Sequence, residues 1–106
     1  MYEALNADLT RLSELLQKYG HHGQSQVVDE ILASLATPHP DLKRLAGIDM
    51  WGGSGAVWDV CLIGDDEKLF RQTVVRVASE MDRLKIGTER SRFIAKTFRD
   101  WLDKGL

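Results

Sequence analysis

Five side chains near the N-terminus, Leu5, Leu9, Leu12, Leu16 and Tyr19, recur at alternating steps of four and three. That spacing returns to one side of a 3.6-residue helix and to neither face of a strand. The chain therefore opens on an amphipathic helix that must bury its stripe against something. Gly20 and Gly23 bracket His21-His22 and are expected to stop it. A second helical pattern follows, with Val28, Ile31, Leu32 and Leu35 on one face. It ends before Thr37-Pro38-His39-Pro40, the only proline cluster, which reads as a turn. Asp41 to Ala46 is expected to form a short helix, started by Pro40 and closed by Gly47.

The stretch Gly47 to Gly64 breaks the pattern, holding five of the nine glycines and two of the three tryptophans. Residues 57–63 are mostly apolar, and periodicity leaves helix and strand both open. A lone strand would leave its edges unpaired, so a short helix is preferred. Asp65 or Asp66 is then expected to cap a long helix reaching about Leu84, with Phe70, Val74, Val77, Met81 and Leu84 inward. Gly87 is read as its end and Thr88 as the N-cap of a last helix, which buries Phe93 or Ile94, Thr97, Phe98 and Trp101. The expected fold is all-α, a compact bundle of four main helices with one or two short helical turns and a Gly-rich loop. Residues 1–106 form one domain.

Composition sets outer limits. A chain of 106 residues, 43% hydrophobic and 28% charged, can bury one core without metal or disulfide staples. Cys61 is the single cysteine, which excludes an intramolecular disulfide and suits a reducing compartment. Met1 to Leu5 lacks the basic start and apolar run of a secretory signal, and no stretch approaches the roughly 20 apolar residues of a membrane span. A cytoplasmic protein is expected. The net charge of −2 conceals an asymmetry: residues 1–67 carry 11 acidic and 4 basic side chains, residues 68–106 carry 5 and 10. Such a chain can offer an acidic surface to a basic partner or a basic helix to nucleic acid, or its halves can neutralise each other.

Met50-Trp51-Gly52-Gly53-Ser54-Gly55-Ala56-Val57-Trp58-Asp59 is the most unusual segment. Its glycines imply a sharply bent chain, and a helix starting at Ser54 or Gly55 would create an anion nest. Nucleotide motifs fail here. A phosphate-binding loop needs Gly-Lys-Ser/Thr, but Gly55 is followed by Ala56-Val57. The dinucleotide pattern finds Trp58 where its last glycine belongs. Two readings stay open: a structural turn with Trp51 and Trp58 plugging the bundle and Asp59 bonding loop amides, or a partner-binding loop.

The segment resembles the aromatic-Gly-Gly-x-Gly-small-x-x-Asp signature of a family of small bacterial helical proteins of unknown function. Gly52, Gly53, Gly55 and Asp59 fit it. Ser54 stands where the family pattern has a larger residue such as Met, and Ala56 where it has Ser, which removes a helix-capping hydroxyl. The resemblance implies an immunity-type protein that neutralises a partner toxin.

Other chemistry-bearing residues read as structural. His21, His22 and His39 lack ligand spacing and are expected to be exposed loop histidines. Cys61 sits in an apolar run and is expected to be buried and inert. Asp29-Glu30 and Asp65-Asp66-Glu67 resemble acid–base pairs, but carboxylates at a helix start are explained by the helix dipole. Arg92, Lys96 and Arg99 share one face of the last helix, near Arg83, Lys85 and Arg90. Glu89, Asp100 and Asp103 dilute that face, and a pI near 5.9 argues against a phosphate-binding domain.

The sequence thus points to a protein-binding domain without catalytic residues, cofactor or metal, and the resemblance implies an immunity-type inhibitor of a bacterial toxin. The expected contact residues are Asp49, Trp51, Gly52, Gly53, Ser54, Gly55, Trp58, Asp59, Asp65, Asp66 and Glu67, facing a basic toxin domain. The alternative is a nucleic-acid-associated or regulatory protein using the basic helix.

Overall fold

The computed structural model describes residues 2–106. Helix α1 (Glu3–Lys18) buries Leu5, Leu9, Leu12 and Leu16 completely, with Leu15 on the flank. Each such leucine contributes about 1.5–3 kcal/mol of transfer free energy, so this stripe anchors the molecule. The chain reverses at Gly20, whose φ of +78° a side chain would strain. Gly23 takes no part in that stop. It lies inside helix α2 (His22–Leu35).

Helix α2 packs on α1 through Val28, Ile31 and Leu35, with Leu32 half-buried. Ser13 Oγ donates to Asp29 at 2.5 Å and so ties the two helices at mid-length. The helix expected over Asp41 to Ala46 is a turn at residues 43–46. Asp41 turns its carboxylate onto the Lys43 N–H, an Asx turn that competes with helix. The short helix lies one step later, as α3 (Ile48–Trp51), after Gly47.

Residues 57–63 are neither helix nor strand: a turn at 57–58 leads into an extended run. Helix α4 (Gly64–Arg83) then starts on Gly64, at φ +60°. Neither Asp65 nor Asp66 caps it; Ile63 holds the cap position and both carboxylates lie in the first turn. Its inward stripe is Phe70, Val74, Val77, Ala78 and Met81, while Leu84 is half-buried. The helix stops at Lys85, which adopts φ +63° itself, before Gly87 is reached. Gly87 matters differently, because a β-carbon there would collide with the Asp82 carboxylate.

Helix α5 (Glu89–Asp103) begins with the expected Thr88 cap, which forms a reciprocal capping box with Ser91. It buries Ile94, Ala95 and Phe98, but Phe93 remains 62% exposed and Trp101 37%. The fold is an all-α bundle: α1 packs on α2 and α4, α4 on α5, and α3 bridges α2 and α5. One hydrophobic cluster runs through all of them and takes in Leu45, Val57 and Leu62 from the connections.

Candidate functional site

The Gly-rich segment closes one end of the bundle as a knot of tertiary hydrogen bonds. Trp51 is buried and donates its indole N–H to the Leu45 carbonyl at 2.8 Å. Trp58 is half-buried and donates to the Gly52 carbonyl at 2.6 Å. The amides of Val57 and Trp58 return to the carbonyls of Asp49 and Met50. Gly52 is obligatory, since a β-carbon there would stand 2.5 Å from the Ile48 carbonyl oxygen. Gly55 adopts φ +87°, and its carbonyl accepts from Gln24 of α2. Gly53 and Ser54 are exposed at the tip, and a β-carbon on Gly53 would meet nothing. No helix starts at Ser54 or Gly55, so the anion nest is not formed.

Arg90, read from sequence as part of a basic face, holds this knot from α5. Its Nε donates to the Trp51 carbonyl at 2.9 Å and its Nη2 to the Gly52 carbonyl at 3.0 Å. A cation suits the carbonyls at the end of α3. The guanidinium also lies 6.0 Å from the Trp58 ring centre. No local pattern marks this role; an arginine two residues past a helix cap was the only available signal.

The acidic candidates divide by environment. Asp66 accepts from Lys18 Nζ at 2.7 Å and from the Tyr19 hydroxyl at 2.8 Å. The Lys18 contact, then the Tyr19 contact, hold the Asp66 carboxyl below the usual range, while Asp66 raises both Lys18 and Tyr19. Glu67 accepts from the Leu62 N–H and pairs with Arg71 at 3.0 Å. Arg71 in turn stacks 4.9 Å from the Trp101 ring. Asp49 pairs with Arg44 at 3.4 Å, and Arg44 also bonds Glu30. Asp66 and Glu67 are thus parts of the scaffold.

Asp59 and Asp65 remain exposed, and neither carboxylate has a hydrogen-bond or ionic partner among the described residues. Asp59 does not bond loop amides. Between them the extended run alternates: Val60 is half-buried and Leu62 buried, while Cys61 and the 75% exposed Ile63 point to solvent. Cys61 is therefore exposed, because extended backbone sends every second side chain outward. The exposed side chains of this stretch, Asp59, Cys61, Ile63 and Asp65, make a short ridge along the chain. It runs through the bend at Asp59 and past Gly64 into the first turn of α4. Beside its Asp59 end lies a cleft of about 220 Å³, lined by Trp58, Asp59, Cys61, Glu67, Arg71 and Trp101 among others.

The arginines of the C-terminal half are occupied, whereas Lys68, Lys85, Lys96 and Lys104 have no ionic partner among the described residues. Arg92 pairs with Asp82 at 3.0 Å, Arg99 bonds Ser79, and Arg76 pairs with Asp8 across to α1. His22 opens α2 and His39 is exposed, while His21 is half-buried at the α2 cap position. Among the described residues no group of His, Cys, Asp or Glu could hold a metal ion. No described helix is long and apolar enough to cross a membrane. No family model, curated protein or solved structure matches the chain.

Proposed function

We propose that this chain is a protein-binding domain, a cytoplasmic immunity-type inhibitor that neutralises a bacterial toxin by covering a basic active site or substrate groove. The supporting observation is the ridge from Asp59 to Asp65. It joins two carboxylates lacking any internal countercharge to a branched aliphatic side chain held in water. Uncompensated surface charge speeds association with an oppositely charged partner, and a central apolar anchor supplies affinity. Ile63 is that anchor, while Trp51 and Gly52 belong to the scaffold. Arginines already bonded inside the fold leave less for a nucleic-acid reading.

Cys61 provides the test, being the only cysteine and lying on the ridge. A photo-crosslinker on Cys61 is to be activated in the native cell, against a Cys61→Ser/Gln26→Cys control labelled on exposed α2. The proposal expects one basic protein joined through Cys61 and absent from the control. Equal capture at both positions, or capture of nucleic acid, would overturn it.

A further inference from the structure

Helix α5 carries more apolar surface than the bundle covers. Phe93, Thr97 and Trp101 follow at steps of four, beside the buried Ile94 and Phe98. With Trp58 they line a narrow cleft of about 210 Å³ that is almost wholly apolar. Phe93, standing 62% exposed at its edge, does not fill it.

The charges along the same strip are ordered. Arg90 lies on the strip too, but its guanidinium is turned onto the Trp51 and Gly52 carbonyls. The other charges on the strip or at its margin by helical spacing are Glu89, Lys96, Asp100 and Lys104. All four are exposed, and none has an ionic partner among the described residues. The acid Glu89 stands at the start of the strip and the base Lys104 at its end. Lys96 and Asp100 occupy the middle. Thr97 is the centre, with Phe93 four residues before it and Trp101 four after.

We propose that this strip is the contact surface for a second copy of the chain, paired antiparallel about a two-fold axis at Thr97. Such an axis places Phe93 of each copy at the Trp101 cleft of the other. Glu89 then comes within one residue of Lys104 of the second copy, and Lys96 within two of Asp100. These offsets correspond to about 3 Å of helix rise or less, which lysine side chains absorb. A two-fold contact requires a self-complementary patch. Along this strip Glu89 and Lys96 before Thr97 are answered by Lys104 and Asp100, of opposite sign, after it, as Phe93 is answered by the Trp101 cleft. The pattern favours a second copy, because symmetry supplies the matching series of charges and the Phe93 plug that an unrelated helix would have to carry independently. The contact is small, since α5 is only about 22 Å long at 1.5 Å per residue. A weak, concentration-dependent dimer is the expected form.

Sedimentation equilibrium on the full chain tests this without any toxin, so its failure leaves the inhibitor reading standing. The wild type is expected to self-associate, and Phe93→Ala to lose at least tenfold in association while keeping its melting temperature, because Phe93 is mostly exposed. Glu89→Lys and Lys104→Glu should each weaken the dimer severalfold, and the double exchange should restore it. A monomer up to about 1 mM, where an interaction of roughly 4 kcal/mol would still register, overturns the proposal. So does a dimer indifferent to Phe93→Ala, or single charge variants that the double exchange fails to rescue.

Discussion

The α1–α2–α4 bundle and the connection from residue 47 to 63 both bury large apolar side chains, by opposite means. In the bundle, backbone amides and carbonyls are satisfied within each helix, so the inward faces need only fit. Leu9, Leu12, Leu16, Phe70 and Val77 do nothing else. In the connection the backbone has no ladder, and buried polar groups left unpaired are costly. Side chains therefore satisfy it, both its own and those of the helices: Trp58 and Arg90 at Gly52, Gln24 at Gly55 and Glu67 at Leu62, while Trp51 reaches back to the Leu45 carbonyl. Residue types that resemble a binding site in sequence are here consumed in holding a loop.

The glycines give the largest way to break this contrast. Gly52→Ala forces a β-carbon against the Ile48 carbonyl and should cost about 1–3 kcal/mol, the usual penalty for overpacking. Gly55→Ala should cost about 1–2 kcal/mol through its left-handed backbone, and Gly53→Ala within about 0.5 kcal/mol of nothing. Urea unfolding of the three variants checks the order. Equal costs would mean that the segment acts as an ordinary flexible loop.

Arg90 sharpens it further. Arg90→Met keeps much of the stem but removes both hydrogen bonds to the Trp51 and Gly52 carbonyls. A loss of about 1 kcal/mol is expected for these partly exposed bonds. Arg92→Met, which breaks only the exposed pair with Asp82, should cost under about 0.5 kcal/mol. Thermal melts that reverse this ranking would contradict the role assigned to Arg90.

The smallest effect concerns pH. The Asp66 carboxyl is held below its usual range, so its contribution is present above the ordinary carboxylate value and lost as pH falls through the depressed one. Lys18 and Tyr19 are raised, so their share is present below their ordinary values and lost as pH rises through the raised ones. Asp66→Asn should flatten both limbs of a stability–pH profile. An unchanged acid limb would show that this contact contributes nothing.

Much of the fold was legible because helical periodicity is a local signal. The stripes of α1, α2 and α4 and the Thr88 cap are all written in residues a few positions apart. The site was less legible, because its determinants are tertiary. Whether Asp66 is free depends on Lys18 and Tyr19, far away in sequence, and whether Glu67 is free depends on the Leu62 amide. The short α3 spans four residues, too few for any period to show. Cys61 was misplaced because an apolar run looks buried throughout, whereas extended backbone buries only alternate members. The width of the α5 apolar face was visible, but not that the bundle covers only part of it.

The ridge from Asp59 to Asp65 carries the account, and association kinetics test it most directly. With the partner identified through Cys61, stopped-flow rates are to be compared for wild type, Asp59→Lys/Asp65→Lys and Arg92→Glu/Lys96→Glu. Both acidic targets are exposed and outside the internal bonds of the fold, but Asp65 lies in the first turn of α4. Its reversal should cost about 0.3–1 kcal/mol through the helix dipole, and melting temperatures are compared before the rates are read. The account predicts that reversing the two acids slows association at least tenfold at low salt, a gap that narrows as salt screens exposed charges beyond about 10 Å at 0.1 M. Reversal on α5 should change the rate little. Equal rates for wild type and the acid reversal, with the α5 variant impaired instead, would contradict it.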